Sequence, residues 1–364
     1  MMTAFSDVFA DVTKQGTKLQ TSEYLPSGKY PIIDQGQDDI AGYTDREDGL
    51  FTDVPAIIFG DHTRIVKYVD MPFFLGADGV KVLKAEIPDV DCRYLYYAVS
   101  AVKIPNTGYN RHFKWLKEAQ IPLPDISTQR RIADTLDKVS EGIGLCRKML
   151  GKLDLMVKAK FGEMFGALGE DKFNWGMTTL GVCCELNPKR PRDIPDDMDV
   201  SFVAMPSVTE KGQIDTSVIK PYLEVRKGFT YFAENDVLFA KITPCMENGK
   251  GCVAKGLTNA IGAGSTEFHV LRPIHGKSNP YWLYYLTVIP GFRENARKVM
   301  TGTGGQLRVP IAYLDNLPVS LPPIELQEQF ATFVSKIDKS RLTIQQVLSK
   351  MEMVKLALMQ EYFG

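Results

Sequence analysis

Apolar residues recur at alternating steps of four and three along two long stretches of the chain. The first stretch lies within residues 132–164 and the second within 330–362, where Arg341 and Lys355 interrupt the apolar pattern. A heptad pattern of this length predicts two long helices, each of which buries one apolar seam.

The two stretches belong to an internal repeat. Residues 123–166 recur at 321–364 without a gap, at an offset of 198, and 12 of the 44 positions are identical. Each copy opens with Leu-Pro-x-Ile-x-x-Gln, at Leu123 and at Leu321. Because proline disfavours helix before it and is common at a helix start, this opening predicts that each long helix begins just after it.

The seam of each helix needs a partner, and the nearest candidate is the other helix of the same chain. A helix of ~38 residues spans ~57 Å at ~1.5 Å per residue. Because each helix follows its own globular half, we expect the two helices to pair as an antiparallel coiled coil around a pseudo-twofold axis. The alternative is that each helix packs only on its own domain.

The segments before each helix have a strand-like pattern. Short apolar or β-branched runs alternate there with turns rich in Gly, Pro and Asp. The predicted strands are 56–59, 80–83, 200–203, 237–239 and 268–271. Two aromatic-rich segments, 93–100 and 280–288, predict short helices. The fold class is therefore α/β (α+β), with two β-rich domains alternating with two long helices. The expected domains are 1–124, 125–166, 167–320 and 321–364.

Composition places the chain among ordinary globular proteins. It has 364 residues, of which 44% are hydrophobic and 24% charged, a length that suggests two or three domains. The formal net charge of −1 neither demands nor excludes a polyanionic partner, because a neutral total can hide a basic face.

The sequence contains no secretory signal, and no apolar run approaches the ~18 residues of a membrane-spanning helix. We therefore expect a cytoplasmic protein with no membrane partner. None of the six cysteines forms a C-x-x-C pair or has a histidine at zinc-ligand spacing, so reduced thiols are expected.

Catalytic motifs are absent from the sequence. There is no phosphate-binding G-x-x-x-x-G-K-[ST] loop, and residues 187–189 approach an adenine methyltransferase motif without its second proline and aromatic residue. The (D/E)-x-K sequence at 170–172 lies too far from Pro124-Asp125 for a restriction-type nuclease. The Gly-rich stretch 301–306 predicts a mobile loop, and the four scattered histidines predict structural or simple polar roles. We expect no catalytic residue, metal site or cofactor site in this chain.

Binding of a nucleic acid is the better supported chemistry. It needs cations for phosphates and planar polar side chains for base edges, carried on loops that a scaffold holds in place. Such loops follow the strand at 56–59 and the strand at 237–239, and residues 301–308 take the place of 107–114 in the other half. A short basic run at 189–192 adds to them. The candidate DNA-binding residues are His62, Thr63, Arg64, Asn110, Arg111, His112, Lys114, Lys189, Arg190, Arg192, Lys241, Thr243, Asn248, Lys250, Thr303, Gln306 and Arg308. The alternative for Arg111 and Arg308 is a salt bridge that fixes each loop to the helix that follows it.

Several segments together resemble a known family. These are residues 236–250, 58–63 and 72–76 and the Leu-Pro-x-Ile-x-x-Gln openings of both helices. They are similar to the specificity (S) subunits of Type I restriction–modification systems, and the resemblance covers nearly the whole chain.

The resemblance implies a division of labour between subunits. Two target-recognition domains would each read one half of a split sequence in double-stranded DNA, and the paired helices would act as the spacer. The S subunit would be non-catalytic and would position two methyltransferase subunits, docked on the spacer helices, together with restriction/translocase subunits in a phage-defence complex. S-adenosylmethionine, ATP and Mg would belong to those partners, and this chain would hold no cofactor. The breaks at Arg341 and Lys355 would reflect a slightly splayed helix pair or contacts to partners.

Three other interpretations remain open on the sequence. The chain could be the S-like subunit of a smaller bipartite system, in which one enzyme fuses nuclease and methyltransferase. It could be an enzyme whose site has no recognisable motif, in which case the purified chain alone would cut or methylate DNA. It could also be a coiled-coil scaffold with no DNA role, whose DNA binding would depend little on salt.

Overall fold

The computed structural model describes residues 2–76, 79–108 and 110–364, and for Pro290 the backbone alone. The chain divides into two compact units. Unit 1 comprises Met1–Arg147 and Gln345–Gly364, and unit 2 comprises Lys148–Ile344. Each unit combines small β-sheets and short helices with parts of two long helices.

Among its described residues, the first half of the chain supplies nine strands, three short α-helices and one long α-helix. The strands are β1 (Met2–Ala4), β2 (Phe9–Asp11), β3 (Tyr30–Ile33), β4 (Gly42–Thr44), β5 (Ala56–Gly60), β6 (Val66–Val69), β7 (Phe74–Leu75), β8 (Val80–Ala85) and β9 (Gln120–Pro122). The helices are α1 (Phe5–Val8), α2 (Cys92–Ala101), α3 (Phe113–Lys117) and the 40-residue α4 (Ile126–Phe165).

The second half repeats this order with additions. Its strands are β10 (Met177–Thr179), β11 (Cys184–Leu186), β12 (Asp199–Val203), β13 (Ile219–Pro221), β14 (Thr230–Ala233), β15 (Val237–Ala240), β16 (Gly251–Val253), β17 (Ile261–Gly264), β18 (Phe268–Pro273), β19 (Thr301–Thr303), β20 (Gln306–Arg308) and β21 (Pro318–Ser320). Its helices are α5 (Leu180–Cys183), α6 (Tyr222–Val225), α7 (Pro280–Val288), α8 (Pro290–Lys298), α9 (Ile311–Asp315) and the 40-residue α10 (Ile324–Phe363).

The sheets of the two units have the same strand order. The antiparallel sheet β2-β8-β5-β6 of unit 1 corresponds to β11-β18-β15-β16 of unit 2. The sheet β4-β3-β7 corresponds to β13-β12-β17, which gains β14, and each contains one parallel pair. The pair β1-β9 corresponds to β10-β21. The duplication read from the sequence is thus visible in the topology.

The central strand of each unit is buried on both faces. In β5, Ile57 and Phe59 pack into the core under α2, while Ala56 and Ile58 pack into a second core on the opposite face. Because successive side chains of a strand point to opposite faces, a continuous apolar run fits this position. Strand β15 of unit 2 is buried on both faces in the same way.

A buried glutamine joins each long helix to the aromatic helix of its unit. The Oε1 atom of Gln129 accepts from the backbone N–H of Asp91, the N-cap of α2 (3.1 Å), and its Nε2 donates to Pro124 O (2.8 Å). In unit 2, Gln327 Oε1 accepts from the N–H of Asn279, the N-cap of α7 (2.8 Å). The repeated Gln of the Leu-Pro-x-Ile-x-x-Gln motif therefore satisfies buried backbone groups at an equivalent helix start in both units.

Within unit 1, the parts of α4 and α10 pair antiparallel. Leu136 near the start of α4 belongs to the core cluster that includes Leu358 near the end of α10. Further along α4, Arg147 Nη2 lies 2.7 Å from Glu352 Oε1, earlier in α10. Residues further towards the C-terminus of α4 therefore contact residues further towards the N-terminus of α10.

Within unit 2, the other parts of the two helices pair in the same sense. The rings of Phe161 and Phe330 have centroids 5.4 Å apart, and Asp154 Oδ1 lies 2.7 Å from Arg341 Nη2. The predicted antiparallel coiled coil is confirmed in both units.

The apolar seam is wider at the end of α4 than the sequence predicted. Ile132, Leu136 and Val157 are buried as expected, but Phe161 and Phe165 are buried as well. These two rings join the core of unit 2 in addition to contacting the partner helix, so the apolar face there exceeds a strict heptad seam.

Both predicted breaks in the seam have partners within the chain. Arg341 is half-buried and binds Asp154 together with Asp338, one turn away on its own helix. The Nζ of Lys355 lies 5.7 Å from the ring centroid of Tyr97. Each residue that interrupts the apolar seam therefore makes a polar or cation–π contact within its own unit.

The predicted elements before the long helices are confirmed, with one correction. Each predicted strand lies within an observed strand, and the predicted short helices correspond to α2 and α7. The Gly-rich stretch 301–306, predicted as a mobile loop, instead forms the hairpin β19-β20, in which Thr303 pairs with Gln306 across a Gly304-Gly305 turn. Both glycines have positive φ (62° and 76°), a conformation that favours glycine in a two-residue hairpin turn.

Two further features concern the state of the cysteines and the length and apolarity of the helices. All six cysteines have free thiols. Among the helices of the described residues, none is long and apolar enough to cross a membrane.

Candidate nucleic-acid interface

In each unit, a backbone hydrogen bond at an equivalent position holds two of the predicted binding segments side by side. In unit 1 the N–H of His112 donates to Asp61 O (2.8 Å), which joins the segment before α3 to the loop after β5. In unit 2 the N–H of Val309 donates to Lys241 O (2.9 Å), which joins the segment before α9 to the loop after β15. Each unit therefore brings together two loops that the sequence had identified separately.

In unit 1, His112 stabilises this loop pair through hydrogen bonds. Its side chain is fully buried, and Nδ1 donates to Asp61 O (3.0 Å). The carboxylate of Asp61, also buried, accepts from the N–H of Phe113 (2.8 Å) and so caps the start of α3. His112 thus lies under the surface and fixes the residues around it, although the sequence also placed it among the candidate DNA-binding residues.

The neighbouring side chains of unit 1 reach the surface. Asn110, Arg111 and Lys114 are exposed, and Lys114 Nζ lies 4.1 Å from the ring centroid of Trp115. No ion pair of Arg111 is found among the described residues. The preceding Tyr109 lies outside the described residues.

Gln35 helps to hold the loop after β5. Gln35 accepts from the backbone N–H of His62 with its side chain (3.1 Å) and from the hydroxyl of Thr63 with its carbonyl oxygen (2.7 Å). His62 Nδ1 lies 3.3 Å from the carbonyl oxygen of Asn110, which ties the two loops together. Arg64 has a positive φ of 63° and donates to Ile104 O (3.4 Å).

In unit 2, Thr243 fixes the hairpin. Its N–H donates to Leu307 O (3.0 Å), and its Oγ1 accepts from the N–H of Leu307 (3.0 Å) and donates to Gly305 O (2.6 Å). Thr243 is therefore a structural anchor, and the exposed Thr303 and Gln306 at the hairpin tip are the side chains it presents.

Arg308 forms the ion pair that the sequence left open as an alternative. Its Nε and Nη2 donate to the two carboxylate oxygens of Glu267 (2.9 and 2.8 Å). The hydrogen bond from Arg308 is the main reason that the pKa of Glu267 lies below its usual value. The contact anchors the hairpin to the loop before β18 rather than to the following helix.

Lys241 lies beside this ion pair and is half-buried. Burial lowers the pKa of Lys241, Glu267 partly opposes that effect, and Arg308 adds to it. A phosphate approaching this place would meet two cations and one carboxylate, so the positive charge is only partly neutralised within the unit.

Two arginines of helix α8 hold the loop between β15 and β16. Arg293 Nη1 donates to Met246 O, and Arg297 Nε lies 3.0 Å from Glu247 Oε1. Asn248 next to them is exposed. Lys250 is half-buried, and its Nζ lies 3.5 Å from the carbonyl oxygen of Met205.

The basic run at 189–192 contacts the second sheet of unit 2 rather than the hairpin. Arg190 Nη2 donates to Phe229 O (3.1 Å), just before β14, and its guanidinium lies 5.8 Å from the ring centroid of Tyr222. Lys189 and Arg192 are exposed. Sequence proximity of the cations therefore did not indicate which loop pair they would join.

Sequence reasoning missed Gln35 and Glu267. Glu267 immediately precedes β18, and His269 lies two residues later within it. Both side chains make hydrogen bonds with the segment that carries Arg308. Side chains two apart on an extended segment share a face, so this spacing was an available signal. Gln35 lies in an irregular segment, where no periodicity predicts its contacts. No group of three or more His, Cys, Asp or Glu that could hold a metal occurs in the part of the chain the structure describes.

The fold and these paired loops define a duplicated protein that presents one polar surface on each of two similar units. A sequence model of the family described as the Type I restriction modification DNA specificity domain matches residues 3–153 and 174–352. The chain belongs to this family.

Curated relatives and solved structures agree with this assignment. The chain is 42% identical over 159 residues to the specificity subunit of the Type I restriction enzyme EcoAI of Escherichia coli, and 38% identical over 166 residues to that of EcoEI from the same organism. These alignments cover 43% and 45% of this chain but 26% and 27% of the relatives, so the chain spans about a quarter of their length.

Two solved structures share the fold over the whole chain. The Type I restriction–modification S subunit from M. genitalium has a TM-score of 0.56 at 16% identity, with 100% of this chain and 96% of that chain covered. A chain from a structure concerned with the assembly and conformational transition of the type I system has a TM-score of 0.53 at 15% identity, with 100% and 97% covered. At these identities the likeness concerns the fold.

Proposed function

We propose that this chain is a DNA-specificity subunit that reads a bipartite target for a Type I restriction–modification complex. Residues 1–124 and 167–320 each read one half-site, and 125–166 and 321–364 form the spacer between them. The observation that carries the proposal is the equivalent loop pair in the two units, each with exposed polar side chains, in a chain of the DNA specificity family.

The difference between the two loop pairs supports recognition of an asymmetric target. Unit 1 presents Asn110 and Arg111 from an irregular segment, whereas unit 2 presents Thr303 and Gln306 from a hairpin. Amides and guanidinium groups are the side chains that read base edges by paired hydrogen bonds. Two similar scaffolds with unlike loops can therefore read two different half-sites.

Exposed apolar side chains on the long helices support docking of partner subunits there. Leu145 and Leu155 on α4 are 59% and 67% exposed, and Met353 and Leu356 on α10 are 60% and 71% exposed. Apolar side chains that a helix leaves exposed favour a protein partner. We assign these positions to two methyltransferase subunits, with restriction subunits joining in the full complex.

The catalytic chemistry is assigned to those partners. S-adenosylmethionine, ATP and Mg would be bound by the methyltransferase and restriction subunits, and this chain would supply sequence recognition in the cytoplasm without catalysis. The curated relatives are specificity subunits of Type I enzymes, which favours this system over a smaller bipartite one.

Sequencing of modified bases tests the proposal. Genomic DNA from cells with and without this gene would be compared, with the partner genes intact in both. We expect deletion to remove methylation from one bipartite adenine motif. Every methylated motif surviving the deletion would overturn the proposed function.

A further inference from the structure

A cavity of about 390 Å³ lies in unit 2, beneath the loop that carries Asn248. Its walls are the loop 247–249, the aromatic helix α7, helix α8, the turn at 210–211 and the paired parts of α4 and α10. The proposed reading of base edges by the hairpin tip makes no use of this cavity.

Part of the charge that lines the cavity is neutralised within the unit. Arg341 binds Asp154 at 2.7 Å, and Glu247 binds Arg297 at 3.0 Å. These pairs leave little net charge of their own.

The remaining charged groups of the lining are unpaired and mostly positive. Lys158, Lys211 and Glu210 line the cavity, and none of them has an ion pair or hydrogen bond from its side chain to another described residue. Arg293 also lines it, and its one hydrogen bond goes to a neutral acceptor, the carbonyl oxygen of Met246. Three cations against one carboxylate favour a doubly charged anion.

Arg293 supplies a second, independent observation. Its Nη2 is buried and has no hydrogen-bond partner among the described residues. Burial lowers the pKa of Arg293 to about 10. A buried guanidinium nitrogen without an acceptor is costly, so a rotation of the Arg293 side chain that brings this nitrogen to an acceptor in the cavity would be favoured.

Neutral donors complete the lining. Tyr284 lies on α7, and burial raises the pKa of its hydroxyl, which therefore stays protonated. Asn248 adds an amide on the loop side. Cations that lie beside neutral donors suit an anion with several oxygens, as a phosphate has.

We propose that this cavity binds a phosphate group through Arg293, Lys158 and Lys211. The phosphate comes either from the DNA backbone or from free phosphate in solution, and in the first case the inference rests on the proposed function. By engaging Arg293, which also holds Met246, the bound group links its own position to that of the loop that presents Asn248.

Thermal unfolding of the purified full chain tests the site directly. The midpoint would be measured in chloride buffer and in ~10 mM inorganic phosphate at matched ionic strength. We expect phosphate to raise the midpoint by about 3 °C, since a ligand that binds only the folded state stabilises it. Lys158→Gln and Lys211→Gln, both at exposed positions, are expected to remove at least half of that shift. Arg293→Gln should abolish it if the variant folds.

A matched control separates the cavity from general charge effects. Lys152→Gln removes an exposed lysine of α4 that does not line the cavity, and it should keep the full phosphate shift. An equal shift in Lys152→Gln, Lys158→Gln and Lys211→Gln would overturn the proposal.

The salt dependence of DNA binding distinguishes the two sources. If the group is a backbone phosphate, Lys211→Gln should lower the slope of log affinity against log salt by about one relative to Lys152→Gln. If it is free phosphate, the two variants should bind DNA equally while only Lys211→Gln loses the phosphate shift. The proposal is overturned if phosphate produces no shift and the slope is unchanged. A chain that binds no DNA would contradict the proposed function and leave the phosphate titration to decide on the cavity.

Discussion

The buried glutamines at the start of the long helices show how one repeated residue fixes the same junction twice. Gln327 accepts from Asn279 N–H and donates to the carbonyl oxygens of Pro322 (2.9 Å) and Lys277 (3.0 Å). In unit 1, Gln129 makes the counterparts of two of these contacts, with Asp91 N–H and Pro124 O. The sequence identified both as repeated positions but could not reveal their distant partners Asp91, Asn279 and Lys277, which lie 38 to 50 residues away.

Removing this side chain should destabilise the protein measurably. Gln327→Ala leaves one backbone N–H and two carbonyl groups without their partner at a fully buried site. We expect a loss of about 2–3 kcal/mol in the free energy of unfolding, measured by urea denaturation. The exposed Gln346→Ala on the same helix should change it by less than about 0.5 kcal/mol. Equal effects of the two substitutions would show that the buried contacts add nothing.

The two arginines that the sequence treated alike have different surroundings. Arg111 is exposed, whereas Arg308 is bound at two atoms by Glu267. Arg111→Ala should weaken binding of DNA carrying the recognised motif about tenfold and leave the unfolding temperature unchanged, because only a contact to DNA is lost. Fluorescence anisotropy measures the first quantity and calorimetry the second. A fall in unfolding temperature with unchanged affinity would make Arg111 a loop anchor.

For Arg308 the informative comparison is with its partner. Removal of the carboxylate in Glu267→Gln reduces repulsion of DNA but also releases the hairpin. If Arg308 acts by holding the hairpin, Glu267→Gln and Arg308→Ala should both weaken DNA binding, as measured by anisotropy. Stronger binding by Glu267→Gln alone would indicate that Arg308 contacts DNA directly once it is freed.

At the scale of the element, the hairpin β19-β20 is held by a buried histidine as well as by Thr243. His269 Nε2 donates to Val309 O (2.9 Å), and its Nδ1 lies 3.2 Å from Asn187 Nδ2, which donates to it. The contact from Asn187 requires the neutral ring, in which Nδ1 accepts, whereas Nε2 can donate to Val309 O in either protonation state. Burial lowers the pKa of His269 below its usual value of 6.5.

This arrangement predicts a pH dependence of stability. Because the unfolded chain takes up the proton first, the contribution of His269 is present above about pH 6.5 and is lost as pH falls from there towards its lower folded-state pKa. We expect the unfolding temperature of the wild type to fall more steeply between pH 6.5 and 5 than that of His269→Gln. Parallel curves for the two proteins would contradict this role for the histidine.

Elements with a clear apolar pattern of their own were predictable from the sequence, and those set by distant contacts were not. The strand β5 and the helix α7 follow from their own apolar patterns. The stretch 301–308 has no such pattern, and its hairpin depends on Thr243, about 60 residues away. The wide apolar face at Phe161 likewise depends on the core of unit 2.

At the scale of the whole molecule, the repeat predicted two β-rich domains that alternate with two antiparallel helices, while the roles of individual charges depended on the folded chain. Arg341 interrupts the heptad pattern, and the structure places it between Asp154 and Asp338. The basic run at 189–192 suggested a contribution to the loop pair of unit 2, yet Arg190 contacts the second sheet. Charge patterns alone do not identify a partner at long range.

Arg341 therefore tests the helix pairing. Arg341→Met keeps the apolar stem but leaves Asp154 and the half-buried Asp338 without their cation. Burial already raises the pKa of Asp338. We expect a loss of about 2 kcal/mol at pH 7 that becomes smaller towards pH 4, as the unpaired carboxylates take up protons. Urea denaturation at the two pH values measures it, with the exposed Lys339→Met as control. A loss that is independent of pH would show that packing of the stem matters more than charge.

We propose that each unit reads its own half of one target. The most direct measurement is the sequencing of methylated bases in cells that carry the partner subunits and either Asn110→Ala/Arg111→Ala or Thr303→Ala/Gln306→Ala in this chain. We expect each double substitution to relax or change one half of a bipartite motif, a different half in each case, while the other half and the spacing stay the same. If both substitutions altered the same half, or if neither altered the motif, the two units would not be separate half-site readers.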